Sequence, residues 1–201
     1  MVKIRDNLIE EQLKKERSDR NFLLIVAVFL SIILAFLMLN TYVLFNVYVL
    51  GPSMENTLKT GNVLIANRIK DVEREDIIII SGAKKGSNDW LIKRVIAIGG
   101  ETVEIKDGYV FVNGKLIEEP YVKDKKSTYV PENMPSKIIV PEGEFFYLGD
   151  NRLNSSDSRH YGTCKESQIV GVVENWSLKY KQQIGNFYKN LNKIRSRLKL
   201  S

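Results

Sequence analysis

The sequence contains one cysteine, Cys164, and one histidine, His160, among its 201 residues. A lone cysteine closes no intrachain disulfide, so this is not a disulfide scaffold. No activating base stands beside Cys164, which argues against a catalytic thiol. A single histidine excludes zinc sites built from several imidazoles, and His160 reads as structural or exposed. Acid is missing from the end of the chain: none follows Glu174, while Lys179, Lys181, Lys189, Lys193, Arg195, Arg197 and Lys199 do. The net charge of +6 therefore gathers in a tail outside the expected core, and nucleic acid is not an expected partner.

Charge of either sign is also missing from residues 22–39, where Ser31 is the only polar side chain. About 20 apolar residues cross a bilayer as a helix, the form that satisfies its own backbone in lipid. A cleaved leader would be shorter and followed by a small-x-small site; residues 40–45 offer none, so a retained anchor is expected. Lys14, Lys15, Arg17 and Arg20 precede the span and the next cation is Lys59. The positive-inside rule then puts the N-terminus in the cytoplasm and the remainder outside the cell membrane. With 27% charged and 44% hydrophobic residues, the chain is neither disordered nor polytopic.

Beyond the span the pattern predicts a mostly β fold: one N-terminal transmembrane helix, an antiparallel-β domain and a basic C-terminal helix. Short runs of branched and aromatic residues predict strands over 63–66, 77–80, 91–98, 102–106, 109–112, 137–140, 144–148 and 169–173. Asp107-Gly108 and Asn113-Gly114 are hairpin signals that predict a meander over 101–118. Polar loops are expected over 81–89 and 123–136. The divisions are a cytoplasmic segment over 1–20, the anchor over 21–45, the β domain over 46–178 and a basic amphipathic tail over 179–201. In the tail Phe187, Leu191, Ile194 and Leu198 recur at helical spacing among cations. That suits a helix on an anionic membrane surface, a solvated helix packed on the domain, or a frayed end.

Three clusters carry chemistry. In the first, Gly51-Pro52 precedes Ser53 and Met54, a sharp turn that can hold a serine hydroxyl exposed soon after the span. In the second, Lys93 interrupts the apolar run 91–98. Alternation puts Leu91, Lys93 and Val95 on one strand face and Ile92, Arg94 and Ile96 on the other. One of the two cations therefore points into an apolar environment, where burial lowers a lysine pKa and frees it to act as a base. Strand pattern alone equally allows both to reach solvent at an edge. The third cluster, 149–159, is dense in turn formers. It could orient a catalytic side chain or hold calcium through Asp150 and Asp157, although Arg152 and Arg159 between the acids favour internal ion pairs.

In this order the clusters resemble the motifs of the bacterial type I signal peptidases, membrane proteases with a Ser/Lys dyad, in their compact Gram-positive form. Gly51-Pro52-Ser53-Met54 is similar to the nucleophile motif, Gly61 to Ile65 to the strand that follows, Lys93-Arg94-Val95-Ile96 to the lysine motif and Gly149 to Arg159 to the last. The resemblance implies that Ser53 is the nucleophile and Lys93 the general base. It implies that Ser155 hydrogen-bonds and orients the lysine, that Asp157 and Arg159 form a supporting ion pair, and that the Ser53 N–H is one oxyanion donor. Some members carry a serine where Gly51 stands, whose hydroxyl serves as a second donor, and many carry proline at Asn56 and aspartate at Asn62. The large inserted domain of other members is missing.

The family's pockets take small residues at positions −1 and −3 of an extended signal peptide. By position Met54, Leu58, Leu91 and Ile92 are expected to line them. The expected partners are signal peptides of exported precursors and membrane lipid; no cofactor or metal is expected. The alternative is a processing or assembly factor dedicated to one exported substrate such as a pilin.

Overall fold

The computed structural model describes residues 2–82, 89–132 and 134–197, with side chains from residue 14 onward. Most of the expected 81–89 loop, and Leu198 and Lys199 of the tail, lie outside the described residues. The chain forms two units, Met1–Val43 and Leu44–Ser201.

The first unit is one helix, α1 (Val2–Tyr42). Its Lys14–Tyr42 part is long and apolar enough to cross a membrane, with a mean hydropathy of 3.2 over its most apolar window and none of that window buried by protein. Over residues 22–41 the three polar side chains bond back into the helix. Ser31 Oγ donates to the Val28 carbonyl at 2.7 Å, Asn40 Nδ2 to that of Phe36 at 2.8 Å and Thr41 Oγ1 to that of Leu37 at 2.7 Å. Each of these three side chains finds an acceptor within the helix, as a lipid environment demands.

The second unit opens with β1 (Leu44–Tyr48), which takes up the last two residues assigned to the anchor by composition. Strands β2 (Val63–Asn67), β3 (Ile77–Ser81) and β4 (Trp90–Ile98) follow. Next come β5 (Thr102–Lys106), β6 (Tyr109–Val112), β7 (Lys115–Leu116) and β8 (Lys137–Ile139). The series ends with β9 (Glu144–Leu148), the short helix α2 (Ser158–Tyr161), β10 (Cys164–Lys165), β11 (Ile169–Val173) and helix α3 (Asn175–Arg197). Helix α3 thus starts at Asn175, a little before the expected tail.

All described pairings are antiparallel. One sheet has seven strands in the order β1-β2-β11-β3-β4-β9-β10, and a second has four in the order β7-β6-β5-β8. The hairpin turns contain Asp107 at φ 53° and Asn113 at φ 52°, each followed by a glycine with positive φ, the geometry that two-residue hairpins need. Both faces of the large sheet are covered. Ile77 and Ile79 pack with Val47, Met54, Leu58 and Leu64 on one side, and Ile78 and Ile80 with Val95, Tyr147 and Val172 on the other. That double burial explains an unbroken isoleucine run in place of alternation. The small sheet closes over the far end of β4 and β9, where Ile96, Phe146 and Leu148 meet Val103, Ile105 and Val110.

Candidate active site

Ser53 sits on the turn that leaves β1. Gly51 turns the chain at φ +84°, a left-handed conformation costly for residues with a Cβ. A second turn follows, in which Asn56 takes a φ of 88° and the Leu58 N–H donates to the Met54 carbonyl at 2.8 Å. That turn drives Met54 and Leu58 into the core, at 1% and 0% exposure, and the two plugs hold the serine in place.

The 149–151 segment clamps the same turn. The Asn151 N–H donates to the Ser53 carbonyl at 3.0 Å, and Asn151 Nδ2 to the Pro52 carbonyl at 3.1 Å. Gly149 permits the approach: a Cβ there would lie 2.5 Å from the Ser53 carbonyl oxygen and 2.2 Å from Ser155 Oγ. Between them Asp150 accepts from Thr57 Oγ1 and, through both oxygens, from Arg94.

Lys93 comes from the middle of the large sheet, opposite Ile78 on β3. Neither cation of the Lys93-Arg94 pair reaches solvent: they are 3% and 8% exposed, although β9 pairs with β4 only from Arg94 onward. Lys93 Nζ lies 2.8 Å from Ser53 Oγ and 3.0 Å from the Ile92 carbonyl. Burial pulls its pKa from the ordinary 10.5 down to about 8, and the charges of Asp157 and Asp150 limit the fall. No carboxylate pairs directly with it among the described residues. A buried amine in this state can exchange a proton with the hydroxyl beside it near neutral pH.

Arg94 leaves the opposite strand face. Its guanidinium stacks over the Tyr121 ring at 3.9 Å and donates to the Glu75 carbonyl at 2.8 Å as well as to Asp150. Asp157 and Arg159 form a fully buried pair, with Arg159 Nε donating to Oδ1 at 2.8 Å and Nη2 to Oδ2 at 2.9 Å. Asp157 also caps α2 and accepts the Gly149 N–H at 3.0 Å. Burial opposes its charge, but the arginine and that N–H outweigh it, so its carboxyl is held below the ordinary range. Asp150 and Asp157 are each gripped by an arginine, but of the cluster's own arginines only Arg159 pairs within it: Asp150 takes Arg94 from β4, and Arg152 turns to Glu119.

The expected residues do not all meet as the resemblance implied. Ser155 Oγ is buried and makes no bond to Lys93, whose Nζ meets Ser53 and the Ile92 carbonyl; it lies instead beside Asp157, whose charge it helps to hold. Leu58 is fully buried and does not border the cavity beside Ser53; the turn from Met54 sends it into the core with Val47, Val49 and Ala66. Met54, Leu91 and Ile92 do border a cavity of about 440 Å³ that also contacts Ser53 and Lys93. Its walls are β1 and the start of β4. The outer edge of β1 carries no strand, and β9 pairs with β4 only from Arg94 onward. Backbone edges thus face the cavity on both sides.

Two polar links escaped the sequence reading: the Arg94–Asp150–Thr57 cluster, and a pair between Arg152 and Glu119 that Thr128 shares. The only local signal was the placement of Arg94 on the strand face opposite Lys93. His160 is exposed and meets the Tyr129 hydroxyl at 3.1 Å. Burial pushes the Cys164 thiol up to about 12, which leaves it protonated and unreactive.

Comparison with known proteins gives a consistent set of likenesses. The signal peptidase family, peptidase S26, matches residues 22–177. Signal peptidase I V of Bacillus subtilis is 39% identical over 156 residues, covering 71% of this chain and 90% of that protein. Signal peptidase I of Bacillus caldolyticus is 37% identical over 174 residues, covering 80% and 91%. The crystal structure of a signal peptidase I from Enterococcus faecalis is 32% identical with a TM-score of 0.45, covering 53% of this chain and 99% of that one.

Proposed function

The chain belongs to the signal peptidase family, peptidase S26, and on that footing we propose that Ser53 and Lys93 are the dyad with which this membrane-anchored serine protease removes signal peptides. The observation that carries the assignment is the 2.8 Å contact between Ser53 Oγ and an Nζ that is itself sequestered from water.

In the reaction, neutral Lys93 takes the proton of Ser53 Oγ as that oxygen attacks the scissile carbonyl carbon. The Ser53 N–H donates to the developing oxyanion; Gly51 offers no side-chain donor to assist it. The Lys93 ammonium returns its proton to the departing amine, and the peptide beyond the cut leaves. Lys93 then takes a proton from water, whose oxygen attacks the acyl ester, and the proton passes back to Ser53 as the acid is released. Asp157 and Arg159 are positioning residues, fixing Gly149 and through it the floor under Ser53. Ser155 belongs with them as the packing partner of Gly149.

The substrate enters as an extended strand between β1 and the start of β4, bonding through backbone to both edges. Met54, Leu91 and Ile92 border its side chains, and Ala-x-Ala specificity is carried over from the family. The catalytic β domain covers 46–178 and lies outside the cytoplasm, with the N-terminus inside, because Lys14, Lys15, Arg17 and Arg20 flank one end of the apolar helix. The relatives above are named as signal peptidases, so a role dedicated to one pilin-like substrate is not favoured.

The test is incubation of the wild type and Ser53→Ala with a panel of precursors, with cut sites mapped by mass. Cuts after Ala-x-Ala in the wild type and none in the variant are expected. Cutting by the variant would overturn the nucleophile.

A further inference from the structure

The family match ends at residue 177, but α3 continues to Arg197. Ser177, Leu178, Lys181, Ile184, Gly185 and Tyr188 are its less exposed positions, at the spacing of one helix face. That face is bonded to the domain. Ser177 Oγ donates to the Ile65 carbonyl at 3.2 Å, Lys181 Nζ to the Thr57 carbonyl, and Tyr188 hydroxyl to Asn46 Oδ1 at 2.8 Å. The helix is therefore fixed in rotation, and its other faces are set by the fold.

Beside the docked face runs a second stripe. Trp176, Tyr180, Phe187, Leu191 and Ile194 follow one another at intervals of four, seven, four and three residues, and each is 43–58% exposed. At about 100° per residue they fall within a narrow arc. The remaining faces carry Lys179, Lys189, Lys193 and Arg197, and no acid lies anywhere after Glu174. An apolar stripe bordered by cations and neutral amides, with no acid among them, suits the surface of an anionic bilayer. The β domain starts one residue after the apolar unit ends, so the chain itself tethers α3 to a bilayer and raises the effective concentration of lipid.

We propose that the Trp176–Ile194 stripe of α3 seats on the anionic membrane surface as a second, reversible attachment beside the span. The proposal is independent of which residues carry the cleavage. It makes the phosphate headgroup the partner of the α3 cations and the acyl boundary the partner of the stripe.

The test uses the full chain with Trp90→Phe, which leaves Trp176 as the sole tryptophan. It is reconstituted in phosphatidylcholine vesicles, with and without phosphatidylglycerol, each containing brominated acyl chains. Quenching of Trp176 should be several-fold stronger with phosphatidylglycerol and should fall as salt rises. The combined Lys179→Glu, Lys193→Glu and Arg197→Glu variant should return it to the phosphatidylcholine level. Leu191→Ser with Ile194→Ser should reduce it in the same way; both positions are exposed and lie outside the docked face that Tyr188 bonds to Asn46. Equal quenching in the two vesicles overturns the proposal. So does blue-shifted emission without quenching that grows with the protein-to-lipid ratio, because a second copy would then cover the stripe.

Discussion

Asp150 accepts Arg94 Nε at 2.9 Å and Arg94 Nη2 at 2.7 Å, across 56 positions of sequence and directly beneath the turn that carries Ser53. The pair locks the interior strand that supplies Lys93 to the loop that clamps the serine. Two motifs that meet nowhere in sequence are thereby held in one register.

Asp150→Ala should therefore cost more than a surface ion pair would. It leaves a guanidinium buried without its partner, a loss of roughly 3–5 kcal/mol. Chemical unfolding of the detergent-solubilised chain reads this as a lower midpoint. A change no larger than that of an exposed variant such as Lys115→Ala would mean the pair is not what joins the motifs.

Gly149→Ala should disable cleavage. Its new Cβ would fall against the Ser53 carbonyl and Ser155 Oγ, and overpacking of this kind costs about 1–3 kcal/mol. The clamp must shift, and Ser53 with it, so kcat should fall more than KM rises. Gly114→Ala, with open space around its Cβ but φ +74°, is the control: it should lose some stability and keep kcat. Equal kcat in the two variants would separate the clamp from the chemistry.

The β architecture was legible where local sequence decides it. The Asp107-Gly108 and Asn113-Gly114 turns place β5, β6 and β7 because both residues of each turn take positive φ. The isoleucine run of β3 marked a strand over 77–80, while its burial on both faces depends on the packing of other elements. β1 was hidden because Leu44 to Tyr48 continues the apolar composition of the span, and only pairing with β2 makes it a strand. Leu58 looked like a pocket residue from its nearness to Ser53, but the turn from Met54 directs it inward. Ordered motifs pointed to Ser53 and Lys93, whereas Arg94–Asp150 and Arg152–Glu119 depend on long-range packing that no local pattern encodes.

Lys93→Met should raise stability while removing activity. Folding lowers the amine pKa from 10.5 to about 8, which corresponds to about 3 kcal/mol against the folded state below pH 8. Between about 8 and 10.5 the folded amine is neutral while the unfolded one still holds its proton, so wild-type stability rises with pH and the penalty fades. The variant should thus unfold at higher denaturant than wild type at pH 7, by an amount that shrinks toward pH 10.5. An advantage independent of pH would contradict a depressed lysine pKa.

Lys93→Arg should lose about 10²–10⁴ in kcat/KM, the usual worth of a general base. Arginine keeps its proton throughout this range and fills a similar space. Wild-type rates in this variant would move the base elsewhere.

The most direct test of the dyad is the pH dependence of kcat/KM for the full chain on one Ala-x-Ala precursor. The neutral Lys93 amine is the reactive form, so the rate should rise about tenfold per pH unit below the lysine pKa, bend near pH 8 and level off above it. A profile flat from pH 6 to 10 would contradict a neutral lysine acting on Ser53.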